Sequence, residues 1–120
     1  MKILIVDDSR AMRRIIQRTL RQAGFKGYEI VEAENGAEAL DLVRSESPDL
    51  ILSDWHMPVM SGLEFKRALN EADLDIPFGF ITSENTLEMR AVAAEAGADF
   101  LLAKPFTPND MAQALGLFVT

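Results

Sequence analysis

Four stretches of the chain are apolar without alternation: Ile3 to Val6, Leu50 to Leu52, Phe78 to Ile81 and Phe100 to Ala103. Continuity of that kind suits parallel strands covered on both faces. A fifth stretch, Tyr28 to Ala33, alternates apolar and charged residues as an edge strand does. Between them the apolar period changes. Met12, Ile15, Ile16, Leu20 and Ala23 recur at helical spacing, with Ser9 placed to cap that helix and Gly24 to end it. Ala37 to Val43, stopped before Pro48, predicts a second helix, Leu63 to Ala72 a third, and Thr86 to Ala96, closed by Gly97, a fourth. The last opens on Thr107, Pro108 and Asp110 and turns Met111, Ala114, Leu115 and Phe118 inward. Five alternations of strand and helix with short connections predict a doubly wound α/β fold, an open parallel sheet with helices on both faces.

Composition narrows the setting. A chain of 120 residues with 48% hydrophobic content suits one compact domain over residues 1–120, with no second domain and no linker. There is no cysteine, which excludes disulfides and thiolate metal sites, and the apolar start MKILIV is interrupted by two aspartates before it reaches signal-peptide length. A cytoplasmic protein, monomeric and without membrane contact, is expected. The net charge of −7 argues against direct nucleic-acid binding, which draws on dense positive charge. Five of the twelve basic residues (Arg10, Arg13, Arg14, Arg18 and Arg21) nevertheless crowd the first helix, either as a solvated face or as a docking face for an acidic partner.

In sheets of this kind ligands bind beyond the carboxyl ends of the strands, where strand order reverses. Strand one ends in Asp7 and Asp8, strand three in Asp54, strand four in Thr82 and Ser83, and strand five in Lys104 before Pro105. Singly, each has a plainer role as a cap, a turn former or a solvated charge. Together, three carboxylates on one rim repel one another unless a cation offsets them. Mg²⁺, held by one or two carboxylates with water and phosphate oxygens, relieves that repulsion, and Mn²⁺ is an alternative. The added ammonium of Lys104 and hydroxyl of Thr82 suit a phosphoryl group, whose transfer is catalysed by positioning and charge neutralisation. Asp54 is then the expected nucleophile, forming an acyl phosphate.

The set Val6-Asp7-Asp8-Ser9, Asp54-Trp55-His56-Met57-Pro58 with Gly62, Thr82-Ser83, Ala96-Gly97-Ala98 and Lys104-Pro105-Phe106 resembles the receiver domain of two-component response regulators over essentially the whole chain. Ser9 to Arg14, Asp54-Trp55 and the lack of an output domain resemble the single-domain chemotaxis regulators within that family. The resemblance implies a (βα)5 fold with strand order 2-1-3-4-5 and a phosphorylation-activated switch. Asp54 would be the phosphoacceptor, charged by a sensor histidine kinase or a histidine phosphotransfer protein. Asp7, Asp8, Asp54 and the backbone carbonyl of His56 would hold Mg²⁺. Lys104, joined to Pro105 by a cis bond, would pair with the phosphoryl oxygens, and Thr82 would swing toward them. His56 and Glu84 occupy positions that modulate phosphoryl lifetime, with Ser83 beside them. Trp55 is expected to be a partly exposed aromatic next to the site, or else to pack the loop. The output partner implied is a flagellar motor switch component.

The pattern departs from the family at two points. Leu101 stands where many receivers carry the aromatic residue that turns inward on activation, and Phe100, one place earlier, should face the other side of the strand. Gly79 in the middle of a strand implies added mobility or close packing. Competing functions are a phosphorelay intermediate or phosphate sink, a Mg²⁺-dependent aspartyl phosphohydrolase, a flavodoxin-like cofactor binder and a scaffold with an idle site. The phosphohydrolase usually carries Asp-x-Asp after its first strand, whereas Asp7 and Asp8 are adjacent. The flavodoxin reading lacks a Ser/Thr/Gly-rich phosphate cradle in Asp7-Asp8-Ser9-Arg10.

Overall fold

A computed structural model describes residues 1–118. The elements alternate throughout: β1 (Lys2–Val6), α1 (Arg10–Gln22), β2 (Glu29–Ala33), α2 (Gly36–Glu46), β3 (Leu50–Ser53), α3 (Gly62–Glu71), β4 (Phe78–Thr82), α4 (Leu87–Glu95), β5 (Phe100–Ala103) and α5 (Pro108–Leu115). All five strands run parallel in the order β2-β1-β3-β4-β5, so the expected fold and topology hold, with the alternating strand β2 on an edge. Strand order reverses between β1 and β3, and their carboxyl ends face the same rim.

Two apolar layers sandwich the sheet because successive strand side chains point to opposite faces. Leu4, Val6, Ile51, Phe78 and Phe80 pack under α2, α3 and α4 with Ala39, Val43, Phe65, Leu69 and Ala93. Ile3, Ile5, Leu50, Leu52 and Ile81 pack under α1 and α5 with Ile16, Leu20, Met111 and Leu115. Leu101 joins the first layer and Phe100 the second, as their alternation requires. Gly79 serves close packing rather than mobility. A Cβ built there would lie 2.0 Å from the Phe100 ring, so the ring occupies the space that a side chain would need.

The helices start where their caps are. Ser9, Asn35, Ser61, Thr86 and Thr107 each accept a hydrogen bond from a first-turn backbone N–H, and Ser61 and Thr107 complete reciprocal capping boxes with Glu64 and Asp110. Gly24 and Gly97 take left-handed conformations after α1 and α4, where Phe25 N–H donates to Leu20 and Ala98 N–H to Ala93. The Lys104–Pro105 bond is cis, as expected.

Candidate functional site

The site is assembled at the carboxyl ends of β1, β3, β4 and β5. Main-chain bonds fix the strand ends against one another: Asp7 N–H donates to Ala33, Asp54 N–H to Val6, and Lys104 N–H to Thr82. Asp7 is only 1% exposed. One of its carboxylate oxygens accepts from Ser9 N–H at 2.8 Å and the other from Lys104 Nζ at 3.2 Å. Asp54 is largely buried, its side chain 12% exposed, with Oδ1 accepting from Trp55 N–H at 2.7 Å and Oδ2 lying 3.6 Å from Lys104 Nζ. Asp8 is exposed at the mouth.

Oxygens of Asp7, Asp8 and Asp54 lie within 4.8 Å of one another. That donor set, all hard carboxylate oxygen, fits a cation such as Mg²⁺. Burial raises the Asp54 pKa above its ordinary value; Asp7 and Asp8 push it further up, while Lys104 and the Trp55 N–H pull it down. The cluster therefore favours any partner that brings positive charge to Asp54.

Thr82 is fully buried at the end of β4, and its hydroxyl accepts from Glu84 N–H at 3.3 Å. Ser83 is exposed. His56, on the loop after β3, and Glu84, on the loop after β4, meet across the rim with His56 Nε2 3.2 Å from Glu84 Oε1, each side chain about 60% exposed. Leu101 stands away from the rim, in a groove bordered by Arg90, Ala103, Pro105, Asp110 and Gln113. Gly62 closes the floor from the α3 side. A Cβ there would sit 2.0 Å from the Asp54 carbonyl oxygen, so only glycine lets α3 start against the strand that carries Asp54.

Two sequence expectations need correction. Trp55 is buried, at 9% exposure, with its ring 4.6 Å from that of Phe80, because β3's alternation continues past its end and puts Trp55 on the same face as Ile51. It packs the loop rather than standing open beside the site. Arg13 does not belong to the exposed basic face of α1. It is 7% exposed, donates from Nη1 to the Asp7 carbonyl at 2.6 Å and pairs through Nε with Glu32 at 2.9 Å. Its spacing of three and seven residues from Ile16 and Leu20 was the available signal. Arg10, Arg14, Arg18 and Arg21 remain exposed, and none forms an ion pair among the described residues.

Lys66 is a second cationic side chain that is buried without having been expected there. It is 3% exposed, donates to Asn70 Oδ1 at 2.7 Å and lies over the Phe78 ring, while Asn70 donates to Ala96 at the end of α4. Its spacing of three residues from buried Leu69 would have placed it inward.

A parallel five-stranded sheet in this order, with acids at the ends of β1 and β3 and a lysine at the end of β5, defines a receiver-type domain. Residues 3–116 match the response regulator receiver domain family, and the chain belongs to it. It is thus the receiver domain of a two-component response regulator. The chain is 39% identical over 111 residues to the response regulator MprA of Mycobacterium avium (strain 104), covering 92% of this chain and 47% of that protein. It spans about half the length of the curated relatives it matches. Among solved structures it resembles the chemotaxis protein CheY4 of Vibrio cholerae, with TM-score 0.85, 35% identity and 98% of both chains covered. It also resembles the receiver domain of the response regulator NarL of Mycobacterium tuberculosis, with TM-score 0.84 and 28% identity, covering 95% of this chain and 91% of that one. No helix among the described residues is long and apolar enough to cross a membrane.

Proposed function

We propose that residues 1–120 form a single switch domain in which Asp54 accepts a phosphoryl group from a phosphohistidine on a sensor kinase or phosphotransfer protein. An Asp54 carboxylate oxygen bonds to phosphorus as the bond from phosphorus to the donor imidazole nitrogen breaks, and the imidazole takes up a proton. Water later attacks phosphorus and restores the carboxylate. Asp7, Asp8, Asp54 and the His56 backbone carbonyl would hold Mg²⁺, or Mn²⁺ in its place, which would supply positive charge to the phosphoryl oxygens. Lys104 faces the same oxygens, and Thr82 turns its hydroxyl toward them. The domain catalyses only its own phosphorylation and dephosphorylation.

The observation that carries this reading is the meeting of three carboxylates within 4.8 Å with Lys104 3.6 Å from the middle strand's Asp54. Intact mass after exposure to acetyl phosphate, with and without Mg²⁺, tests it. One Mg²⁺-dependent phosphoryl adduct is expected, absent in Asp54→Asn; an adduct retained by that variant would sink the assignment.

The exposed row Arg10, Arg14, Arg18 and Arg21 starts beside Asp8 and supports α1 as the face that meets an acidic phosphodonor. For the output, the phosphorylated form binds a flagellar motor switch component in a chemotaxis setting, a reading suggested by the likeness to the chemotaxis protein CheY4. A second reading, a phosphorelay intermediate or phosphate sink, is favoured by Leu101, which leaves no aromatic at the position through which many receivers signal. Binding of the phosphorylated form to a motor switch protein supports the first; return of the phosphoryl group to a histidine phosphotransfer protein supports the second.

A further inference from the structure

Asp7 and Asp8 are adjacent, so the peptide plane between them sets how their two carboxylates can point relative to each other. One group holds that plane and another the Asp7 side chain. Ser9 N–H fixes the Asp7 carboxylate from one side, and the Arg13 guanidinium grips the Asp7 carbonyl from the other at 2.6 Å. Arg13 cannot swing away, because its Nε is bonded to Glu32 on β2 and its side chain is only 8% exposed. One rigid fork thus ties α1, the end of β1 and the edge strand together directly behind the acids. A lysine offers a point charge on a flexible stem and cannot make both bonds in that geometry.

We propose that Arg13 is a positioning residue of the site, holding the Asp7–Asp8 peptide so that both carboxylates are presented to a divalent cation beside Asp54. The inference rests on the Mg²⁺-dependent reading above. A guanidinium near the acids repels a cation through space, so losing its charge alone tightens Mg²⁺ binding, whereas losing its grip weakens it.

The experiment is calorimetric titration of Mg²⁺ alone into wild type, Arg13→Lys and Glu32→Ala, at high ionic strength so that the remote charge of Glu32 is screened. Acetyl phosphate labelling at saturating Mg²⁺ and thermal unfolding in chelator run beside it. Arg13→Lys, which keeps the charge, is expected to weaken Mg²⁺ about tenfold, as for other groups that orient metal ligands. The labelling rate at saturating Mg²⁺ should fall much less, and Glu32→Ala should shift affinity in the same direction, with a cooperative thermal transition in chelator showing that it is folded. Unchanged or tighter Mg²⁺ binding in Arg13→Lys overturns the inference; should that variant not fold, the same result in Glu32→Ala does so. Failure of wild type to bind Mg²⁺ would instead overturn the metal reading beneath it.

Discussion

The floor and the rim of the site are built in opposite ways. On the floor, Asp7, Thr82, Asp54 and Lys104 are buried or nearly so, and each is tied to a neighbouring strand by a backbone or carboxylate bond. On the rim, His56 and Glu84 are more than half exposed and share one contact between two loops. A floor of that kind fixes which chemistry occurs, because moving any member disturbs the sheet. The rim, with one exposed contact, is the part that we assign to setting how long a phosphoryl group survives.

Removing Lys104 should break the floor most severely. Its ammonium is the only cation within ion-pairing reach of Asp7 and Asp54 among the described residues. Lys104→Met is expected to slow labelling by acetyl phosphate roughly 10²- to 10³-fold, as for loss of one group stabilising transferred charge. Stranding the buried Asp7 carboxylate should cost about 3 kcal/mol of stability, the low end for breaking a buried pair. Denaturant unfolding and timed mass spectra would check both; an unchanged rate would remove Lys104 from the chemistry.

Gly62→Ala attacks the same floor through the backbone. The added methyl meets the Asp54 carbonyl at 2.0 Å, and that oxygen belongs to a strand end that cannot retreat. Overpacking of this kind costs about 1–3 kcal/mol, and the upper end is expected because the opposing atom is backbone. Unfolding in urea should show it, together with slower labelling as Asp54 is displaced. The equivalent change at exposed Gly27, where a Cβ meets nothing within 4 Å, would separate crowding from the strain of its φ of 80°.

Much of this floor is legible in the sequence, for a physical reason. Strands buried on both faces leave uninterrupted apolar runs, so their ends, and the polar residues placed there, stand out. Asp7, Asp8, Asp54, Thr82 and Lys104 are visible in that way, and Ser9, Thr86 and Thr107 mark helix starts by their capping chemistry. Arg13 and Lys66 are not visible, because a long cationic side chain reads as solvent-facing until the helix phase is checked against its apolar neighbours. Trp55 misleads for a related reason: a loop position suggests exposure, yet the strand's alternation runs two residues past the ladder. The pairing of His56 with Glu84 joins two loops 28 positions apart and leaves no local pattern at all.

Asp54 makes the floor sensitive to pH. Burial raises its pKa, so the native state holds this proton more tightly than the unfolded chain does. Its contribution to stability is favourable below the unfolded carboxylate range, near pH 4, and is lost as the pH rises through the raised native value. At neutral pH without metal, ionised Asp54 therefore destabilises the fold. Asp54→Asn should melt higher than wild type at pH 7 in chelator, and the gap should close on acidification toward pH 4. A gap that widened with acid would mean that the ionised carboxylate is favourable in the native state, contrary to the burial argument.

The smallest expected stability effect, and the sharpest test of the contrast, belongs to the rim. An exposed polar contact of this kind contributes about 0–1 kcal/mol, so His56→Ala, Glu84→Ala and the double variant should all unfold within about 0.5 kcal/mol of wild type. Phosphoryl lifetime should behave differently. If the two side chains act as one bridge over Asp54, either single change opens the same path to water, and the double variant should lose the phosphoryl group no faster than the singles. Independent side chains would instead give rate changes that multiply. Loss of labelled protein followed by mass after quenching the donor distinguishes the two outcomes. A large loss of stability in either single variant would show that the rim carries part of the fold, and the division between a fixed floor and a tunable rim would fall.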